Sequence, residues 1–466
     1  MLDSAGAGTR HWTSQIAHLL HPRNLTLFRS TKEVNSQTGH LDGLRGVAAF
    51  IVFICHLAYS SHDVSIGWGY TGERQQETGN SYTQWLRLPI IRLVCDGDPA
   101  VAMFFLISGF ALSWRPLKLA REQEWAKFAR TLMGSTVKRW PRLFLPVLAS
   151  TGFICLAVQL GLYDLTRGIA HDKTLLTVFQ EPHPEAKANI FVMLGSWLHA
   201  NWSLWEPFHW DRDAFLEYDI HLWTIPVELR ASMGLFVTLL AVGGMKSNVR
   251  MAILAILIVV GCLKDNWAMM MFWAGALEAE IILSRQASSV PYHDVDKDSE
   301  PVQRSSTNSM FRGLILVLSL ILMSEPFEPQ DTYGWRALMP FIPSNFSEKR
   351  RFYTCIGSMI CFHLLNSEPK VCAFFRSNFI QYLGRVSYGL YLVHGFIIHT
   401  FGYAMFSFVW RFTGVETAFA REIGFGIAAA VIVPCTLYVA DVFHRGIDEP
   451  SVRLAKWIEN QVIVAD

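Results

Sequence analysis

Residues 41–60 of this chain read LDGLRGVAAFIVFICHLAYS, an apolar run that contains two ionisable side chains of special interest, Arg45 and His56. Eleven positions separate them, which is about three helical turns or roughly 16 Å along a helix axis, so a helix places both on nearly the same face at different depths. Burying ionisable groups in an apolar helix is costly. The stretch therefore indicates either a functional site or structural residues whose hydrogen bonds are satisfied inside the fold. By itself it does not decide between the two.

The composition of the whole chain is typical of a membrane protein. Of the 466 residues, 51% are hydrophobic and 17% are charged, and soluble proteins of this length are rarely so apolar. The net charge of +1 gives no indication of nucleic-acid binding, and the aromatic residues lie in and beside apolar runs rather than among basic clusters, so we set a nucleic-acid role aside. The eight cysteines include no CxxC pair, so we predict no metal site.

The apolar runs predict an all-α fold, a polytopic transmembrane helix bundle of about ten spans, since about 20 helical residues cross a bilayer. The predicted spans are about 44–60, 99–114, 143–162, 221–243, 249–263, 266–284, 312–324, 352–366, 384–406 and 420–442.

Basic residues between the second and third spans predict the orientation in the membrane. Residues 115–142 contain eight lysines and arginines, and the positive-inside bias makes this short loop cytosolic. Both termini are then cytosolic as well. Glycosylation patterns occur at Asn24, Asn201 and Asn345, and the last two fall in segments predicted to face outward. Glycosylation patterns in the outer loops of a multi-pass membrane protein fit the endoplasmic reticulum of a eukaryote.

We divide the chain into three parts. Residues 1–40 are predicted to be a cytosolic N-terminal segment, 41–450 the transmembrane domain, and 451–466 a cytosolic tail. Within the domain, the outer loop 163–220 is the most distinctive part, and the polar loop 285–311 is predicted to be disordered and cytosolic.

Further candidate groups lie outside the first span. The cytosolic loop ends in KRWPR, where Arg139 and Arg142 suit either the phosphates of a nucleotide-bearing cofactor or lipid headgroups. Glu228 lies inside the fourth span and fits either an ion pair between helices or a group that orients a histidine. His394, about halfway along the ninth span, is either a hydrogen-bonded packing residue or a catalytic one.

Taken together, these segments resemble the acyltransferase 3 family of integral membrane acyltransferases over residues 41–450. LDGLRGVAAFIVFICH is similar to the first-helix signature of that family, a basic residue, ten residues and a histidine, and FFLISGFALSW resembles its second helix. RWPR fits the RxxR motif of the family, and LWTIPVELR resembles its helix with an embedded Glu. The fifth match is GRVSYGLYLVH together with the late Glu449-Pro450, which resembles its last spans. Five matches in the right order make the resemblance specific.

The resemblance implies that acyl-CoA, most often acetyl-CoA, supplies an acyl group to a hydroxyl of a small molecule, lipid or carbohydrate. It implies that His56 is the catalytic histidine; we predict that it acts as the general base, and we add Glu228 as a second catalytic candidate. Arg45, Arg139 and Arg142 are then the candidates for binding acyl-CoA, with no metal ion involved. We expect no SGNH-type extracellular domain after the bundle, and therefore direct transfer to the acceptor.

Three other hypotheses compete with direct transfer. In the first, His56 is itself acylated and passes the group on. In the second, the chain is a proton-coupled transporter or flippase that uses His56, Glu228 and His394 as a proton relay. In the third, it is a structural or receptor-like membrane protein with degenerate motifs.

Overall fold

The computed structural model describes residues 19–21, 25–26, 38–72, 84–205, 217–288 and 306–463. Within these ranges the protein is helical and has no β-strand, so the predicted all-α fold is confirmed. Most of the predicted N-terminal segment 1–40 and most of the predicted disordered loop 285–311 lie outside the described residues.

The helices are numbered here in chain order. They are α1 Gly39–Ala58, α2 Gly97–Arg121, α3 Trp125–Gln159, α4 Asp164–Ala170, α5 Ile190–Trp205, α6 Thr224–Val242, α7 Ser247–Leu263, α8 Trp267–Ser288, α9 Ser306–Met323, α10 Phe352–Ser367, α11 Pro369–Phe375, α12 Asn378–Ile397, α13 Tyr403–Thr413, α14 Ala418–Phe443 and α15 Glu449–Val462. Two π-helical turns, Ile398–Gly402 and His444–Asp448, join α12 to α13 and α14 to α15.

Each of the ten predicted spans coincides with a helix. Among the described residues, seven helical stretches are long and apolar enough to cross a membrane, and α7 and residues 310–323 are apolar but shorter. The chain is therefore a membrane protein built as a helical bundle. The orientation of the bundle, with both termini in the cytosol, stays a prediction.

The chain forms two compact units. The first comprises Met1–His62, Lys138–Pro226 and Ala373–Asp466, and the second comprises Asp63–Val137 and Val227–Cys372. The division of the chain into an N-terminal segment, one transmembrane domain and a tail stays a prediction.

In the first unit, α1 and α12 run parallel with their backbones in direct contact. A Cβ atom on Gly46 would lie 2.2 Å from the backbone nitrogen of Gly384, so only glycine permits this approach. His56 follows Gly46 by ten positions, and His394 follows Gly384 by ten positions. Because the helices are parallel, this contact brings the two histidines to the same level.

In the second unit, a buried ion cluster connects α2, α7 and α8. Glu280 on α8 has no exposed surface, and its Oε1 accepts hydrogen bonds from Arg121 at 2.7 Å and from Arg250 at 2.8 Å. Removing one partner of such a cluster leaves a buried charge uncompensated, so the three side chains stabilise the contact between these helices as a set.

The predicted outer loop 163–220 contains two helices, α4 and α5, that the sequence did not reveal. On α5, Asn201 is fully buried, and its Nδ2 donates to the carbonyl oxygen of Trp197 at 2.8 Å. The amide of Asn201 is therefore closed to modification in the folded protein, whereas the outward placement of this segment stays a prediction. Asn345, in the second unit, is exposed.

Candidate active site

Two histidines from α1 and α12 form a hydrogen-bonded pair. Nδ1 of His56 lies 2.7 Å from Nε2 of His394, and the stacked rings have centroids 5.0 Å apart. His394 is completely buried, whereas His56 is partly exposed. The sequence singled out both residues, and the fold brings them together.

The hydrogen bonds of the pair assign the positions of its protons. Nδ1 of His394 lies 3.1 Å from the carbonyl oxygen of Leu390, which can only accept, so Nδ1 carries the hydrogen. Nε2 of a neutral His394 is then an acceptor, and Nδ1–H of His56 donates to it. Nε2 of His56, for which the described residues provide no hydrogen-bond partner, keeps its lone pair. This atom is the basic position of the site.

A third histidine, His221, lies against the pair. The centroid of its ring is 4.0 Å from that of His56 and 4.7 Å from that of His394. Its Nδ1 lies 2.8 Å from Oδ1 of Asp219, and its Nε2 lies 3.1 Å from Oε1 of Glu181. Because ionised carboxylates only accept, both nitrogens donate, and His221 is an imidazolium cation.

Glu181 connects His221 to a fourth histidine. Its Oε2 accepts a hydrogen bond from Nε2 of His399, which lies in the π-helical turn after α12. Burial by itself raises the pKa of Glu181, but His221 and His399 outweigh this effect and hold the pKa well below its ordinary value. Two carboxylates, Glu181 and Asp219, and two histidines, His221 and His399, are thus hydrogen-bonded into one buried cluster next to His56.

Gly395 makes room for this arrangement on α12. A Cβ atom at this position would lie 2.9 Å from Nδ1 of His221 and 3.4 Å from Oδ1 of Asp219. A side chain here would push the carboxylate-bound histidine out of place. The glycine beside His394 therefore permits the close packing of the site.

A small pocket of about 10 Å³, room for a single water molecule, adjoins the site within the first unit. Its walls combine ionisable and aromatic side chains, chiefly Tyr163, Glu181, Tyr218, Asp219, His221 and His399. The segment 163–220, predicted to be an outer loop, supplies most of them.

Arg45, a predicted acyl-CoA ligand, connects α1 to α12. Its Nε donates to Oγ of Ser387 at 3.1 Å, and its Nη2 donates to the carbonyl oxygen of Gly384 at 3.2 Å. The same Nη2 lies 3.1 Å from Oδ1 of Asp42. Arg45 thus holds the α1–α12 contact that positions the histidine pair.

The other two predicted ligands, Arg139 and Arg142, lie on α3. The side chain of Arg139 is buried and that of Arg142 is exposed. Leu143, the residue after Arg142, accepts a hydrogen bond from the hydroxyl of Tyr388 at 2.5 Å. Because Tyr388 is next to Ser387, the partner of Arg45, the RxxR motif and Arg45 approach α12 at the same level.

Glu228, the second predicted catalytic residue, belongs to the second unit. Its Oε1 accepts a hydrogen bond from Oγ of Ser108 on α2 at 2.9 Å. Its proposed catalytic role stays a prediction.

Sequence reasoning missed four residues of the site: Glu181, Asp219, His221 and His399. A signal for two of them was visible, since Asp219 and His221 form a D-x-H pattern in which Oδ1 of Asp219 accepts from the backbone nitrogen of His221 at 3.0 Å. Glu181 had no such signal, because it lies 40 positions before His221 in a segment without periodicity.

Three of these histidines are close enough together to bind a metal ion. His56, His221 and His394 each offer one ring nitrogen, and these atoms all lie within 4.8 Å of one another. Both ring nitrogens of His221 are engaged by carboxylates, however, and His56 and His394 are bonded to each other. A metal would have to break these contacts, so the donor set suits proton transfer better than metal binding.

Comparison with known proteins gives consistent matches over nearly the whole chain. The profile of the family described as "Acyltransferase domain" matches residues 39–439. The chain is 29% identical to the O-acetyltransferase PaAT-1 of Phomopsis amygdali, over 96% of this chain and 89% of that protein. It is 28% identical to Acyltransferase R4 of a Phoma species and 27% identical to Acyltransferase clz18 of Cochliobolus lunatus, in both cases over 89% of this chain and 94% of the relative. No solved structure matches significantly.

Proposed function

Because the chain belongs to the acyltransferase 3 family, we propose that it is an acyl-CoA-dependent O-acyltransferase whose general base is His56. The donor group is acetyl, and the acceptor is a hydroxyl-bearing small molecule. The similarity to PaAT-1, an O-acetyltransferase, supports the acetyl group and the ester product. The exposed glycosylation pattern at Asn345 supports a membrane of the endoplasmic reticulum.

The free lone pair on Nε2 of His56 is the observation that carries this proposal. A general base must be unprotonated and oriented, and the chain of hydrogen bonds from His56 through His394 to Leu390 provides both conditions. Positioned proton transfer of this kind accelerates a reaction by about 10²- to 10⁴-fold.

In the proposed reaction, Nε2 of His56 removes the proton of the acceptor hydroxyl while its oxygen attacks the acyl carbon. The new carbon–oxygen bond forms, the carbon–sulfur bond of the thioester breaks, and the proton passes from His56 to the sulfur of CoA. Throughout these steps Nδ1–H of His56 stays bonded to His394, which keeps the ring oriented.

The surrounding charges favour this sequence. In the resting state, the positive ring of His221 at 4.0 Å favours a neutral His56.

Acyl-CoA binds at the level where the arginines approach α12. Exposed Arg142 is suited to contact a phosphate directly, and buried Arg139 supports it from the same helix. Arg45 completes the group as the link to the helix that carries His394.

The test compares the wild type with His56→Ala in a host that lacks an endogenous enzyme of this kind. Metabolites that are heavier by one acetyl group should appear in cells with the wild type. They should be absent in cells with His56→Ala that contain an equal amount of folded protein in the membrane. Acetylation by His56→Ala at the wild-type rate would refute the assignment of the base. If incubation with labelled acetyl-CoA in the absence of an acceptor labels the enzyme itself, the covalent route through an acylated His56 is favoured.

A further inference from the structure

Helix α5, in the segment predicted to be an outer loop, packs along α3 in the opposite direction. Near the beginning of α5, Met193 belongs to the same buried cluster as Val158, which lies near the end of α3. At the end of α5, the ring of Trp205 lies 5.5 Å from that of Trp140. α5 therefore extends from the last turns of α3 to the RxxR motif.

Hydrogen bonds fix the middle of α5 at the matching level of α3. Nε1 of Trp197 donates to Oγ1 of Thr151 at 2.9 Å, and the same oxygen lies 3.3 Å from Oδ1 of Asn201. Met193, Trp197, Asn201 and Trp205 follow one another at intervals of four, so one face of α5 makes all of these contacts. From Met193 to Trp205 a helix rises about 18 Å, more than half of a hydrocarbon layer of about 30 Å.

The chain enters this region and leaves it at the same level. Nζ of Lys187, which precedes α5, lies 2.8 Å from Oε1 of Glu217, which follows it. The next residue, Tyr218, belongs to the same buried cluster as Met193. Because Trp205 lies at the other end of α5, the chain approaches the RxxR motif and then returns to the level of its entry.

The face of α5 that points away from α3 is apolar and exposed. Phe191, Leu198 and Trp202 lie within about 40° of one another around the helix, and they are 80%, 54% and 67% exposed. Residues 190–205 contain no Asp, Glu, Lys or Arg, and the single histidine, His199, lies about 80° from Phe191. A continuous apolar stripe of this kind indicates a contact with a partner or a membrane.

The depth of α3 identifies the occupant of this stripe as lipid. α3 is one of the helices long and apolar enough to cross a membrane. Its exposed side chains Phe153 and Leu156 lie between Thr151 and Val158, the two levels at which α5 packs. Because α5 lies beside this stretch of α3, the hydrocarbon that surrounds α3 also reaches the stripe on α5.

We propose that α5 is a re-entrant membrane helix, which inserts from the side where α3 ends, exposes its apolar stripe to lipid hydrocarbon and ends at the RxxR motif. Its 16 residues measure about 24 Å, fewer than the roughly 20 residues of a full span, which suits a helix after which the chain turns back. Segment 163–220 then has both ends on one side of the membrane and α5 inside it.

The inserted helix connects the two ends of the proposed reaction path. At its end, Trp205 contacts Trp140, which lies between the two arginines of the RxxR motif. Near its beginning, Oγ of Ser196 accepts a hydrogen bond from the hydroxyl of Tyr218 at 3.2 Å. Tyr218 directly precedes Asp219, so α5 contacts both the proposed donor-binding motif and the segment that carries the buried carboxylate–histidine cluster.

The test maps lipid contacts of the wild-type chain in phosphatidylcholine vesicles. One vesicle preparation contains a phosphatidylcholine with a photoreactive diazirine at the end of an acyl chain, and the other contains one with the diazirine in the headgroup. Mass spectrometry then locates the adducts. We expect the chain-end probe to label Leu198, because this residue lies at the level of Thr151, near the middle of the predicted span 143–162. Glu185, 79% exposed and outside α5, should carry no chain-end adduct.

Two other labelling patterns would overturn the proposal. Equal labelling of Phe191, Leu198 and Trp202 by the headgroup probe would show that α5 lies flat on the membrane surface. The absence of adducts from both probes on these three residues would show that the stripe faces water or another protein.

A pair of variants at Leu198 provides an independent measurement in the same vesicles. Leu198→Asp places a charge in hydrocarbon and should lower Tm, whereas Leu198→Ala shortens the side chain without a charge and should unfold near the wild-type temperature. If Leu198→Asp is as stable as Leu198→Ala, the stripe faces water and the proposal is wrong. None of these measurements depends on acyl transfer, so they test the position of α5 separately from the proposed function.

Discussion

Nδ1 of His56 and Nε2 of His394 lie 2.7 Å apart, although 338 positions separate the two residues in the chain. The contact is made because α1 and α12 pack backbone to backbone at Gly46 and Gly384. Each histidine alone is an expensive polar group in an apolar helix; as a pair, each satisfies the other.

Removing His394 should therefore impair the base without removing it. In His394→Ala, Nδ1–H of His56 loses its acceptor at 2.7 Å, and the ring is no longer held in one tautomer. We expect the turnover number to fall about 10²-fold with little change in the KM for acyl-CoA. His394→Gln, whose amide oxygen accepts, should recover part of the rate. A wild-type rate in His394→Ala would show that the pair is only structural.

The carboxyl of Glu181 predicts a pH-dependent contribution to stability. Burial opposes its ionisation, but His221 and His399 prevail and depress the pKa in the folded protein below the ordinary value of 4.5. A depressed pKa stabilises the fold above about pH 4.5, and this contribution is lost as the pH falls through the folded-state value. The Tm difference between the wild type and Glu181→Gln should be constant near neutral pH and shrink below about pH 4.5.

Glu185 provides the control for that measurement. It lies four positions from Glu181, and its side chain is 79% exposed. Glu185→Gln should leave Tm unchanged across the same pH range. A Tm difference for Glu181→Gln that does not vary with pH would contradict the assigned ionisation.

A methyl group on Gly395 should disturb the site specifically. The added Cβ would lie 2.9 Å from Nδ1 of His221, so the ring must move away from Asp219 or from the histidine pair. We expect Gly395→Ala to lower the turnover number at least about tenfold. Gly402→Ala is the matched control on the same helical stretch, since its Cβ would meet no atom closer than 3.5 Å. Similar activity of the two variants would contradict the conclusion that Gly395 makes room for His221.

Arg142 should affect binding of acyl-CoA rather than the chemical step. Loss of a charge-assisted hydrogen bond to phosphate costs about 1.5–3 kcal/mol, so Arg142→Ala should raise the KM for acyl-CoA about tenfold or more at a similar turnover number. Lys127→Ala, which removes an exposed basic residue elsewhere on α3, should leave both values unchanged. An unaltered KM in Arg142→Ala would assign the motif to membrane orientation instead.

The two glycosylation patterns in described residues should behave differently in a eukaryotic host. Asn345 is exposed and Asn201 is fully buried. If the segment around Asn345 faces the lumen, Asn345→Gln should abolish the mobility shift produced by endoglycosidase. Asn201→Gln should leave that shift intact and lower Tm, because it disturbs a buried amide that donates to Trp197. Loss of the shift in Asn201→Gln would contradict the burial.

The bundle itself follows from the sequence because span length and apolarity are local properties. All ten predicted spans are helices, and the motif carrying His56 and the stretch carrying His394 were both recognisable as candidates. The sequence left the role of each histidine open, however. Only the parallel contact of α1 and α12 determined that they form one site.

Glu181 shows most clearly what only the tertiary structure decided. The sequence determined a membrane-embedded helical bundle of a known family, with Arg45 and His56 on one helix, because periodicity and composition report on each segment separately. The fold of segment 163–220 then placed Glu181 between His221 and His399, 40 and 218 positions away. No local pattern encodes such distances, since they depend on how helices and connecting segments pack against one another.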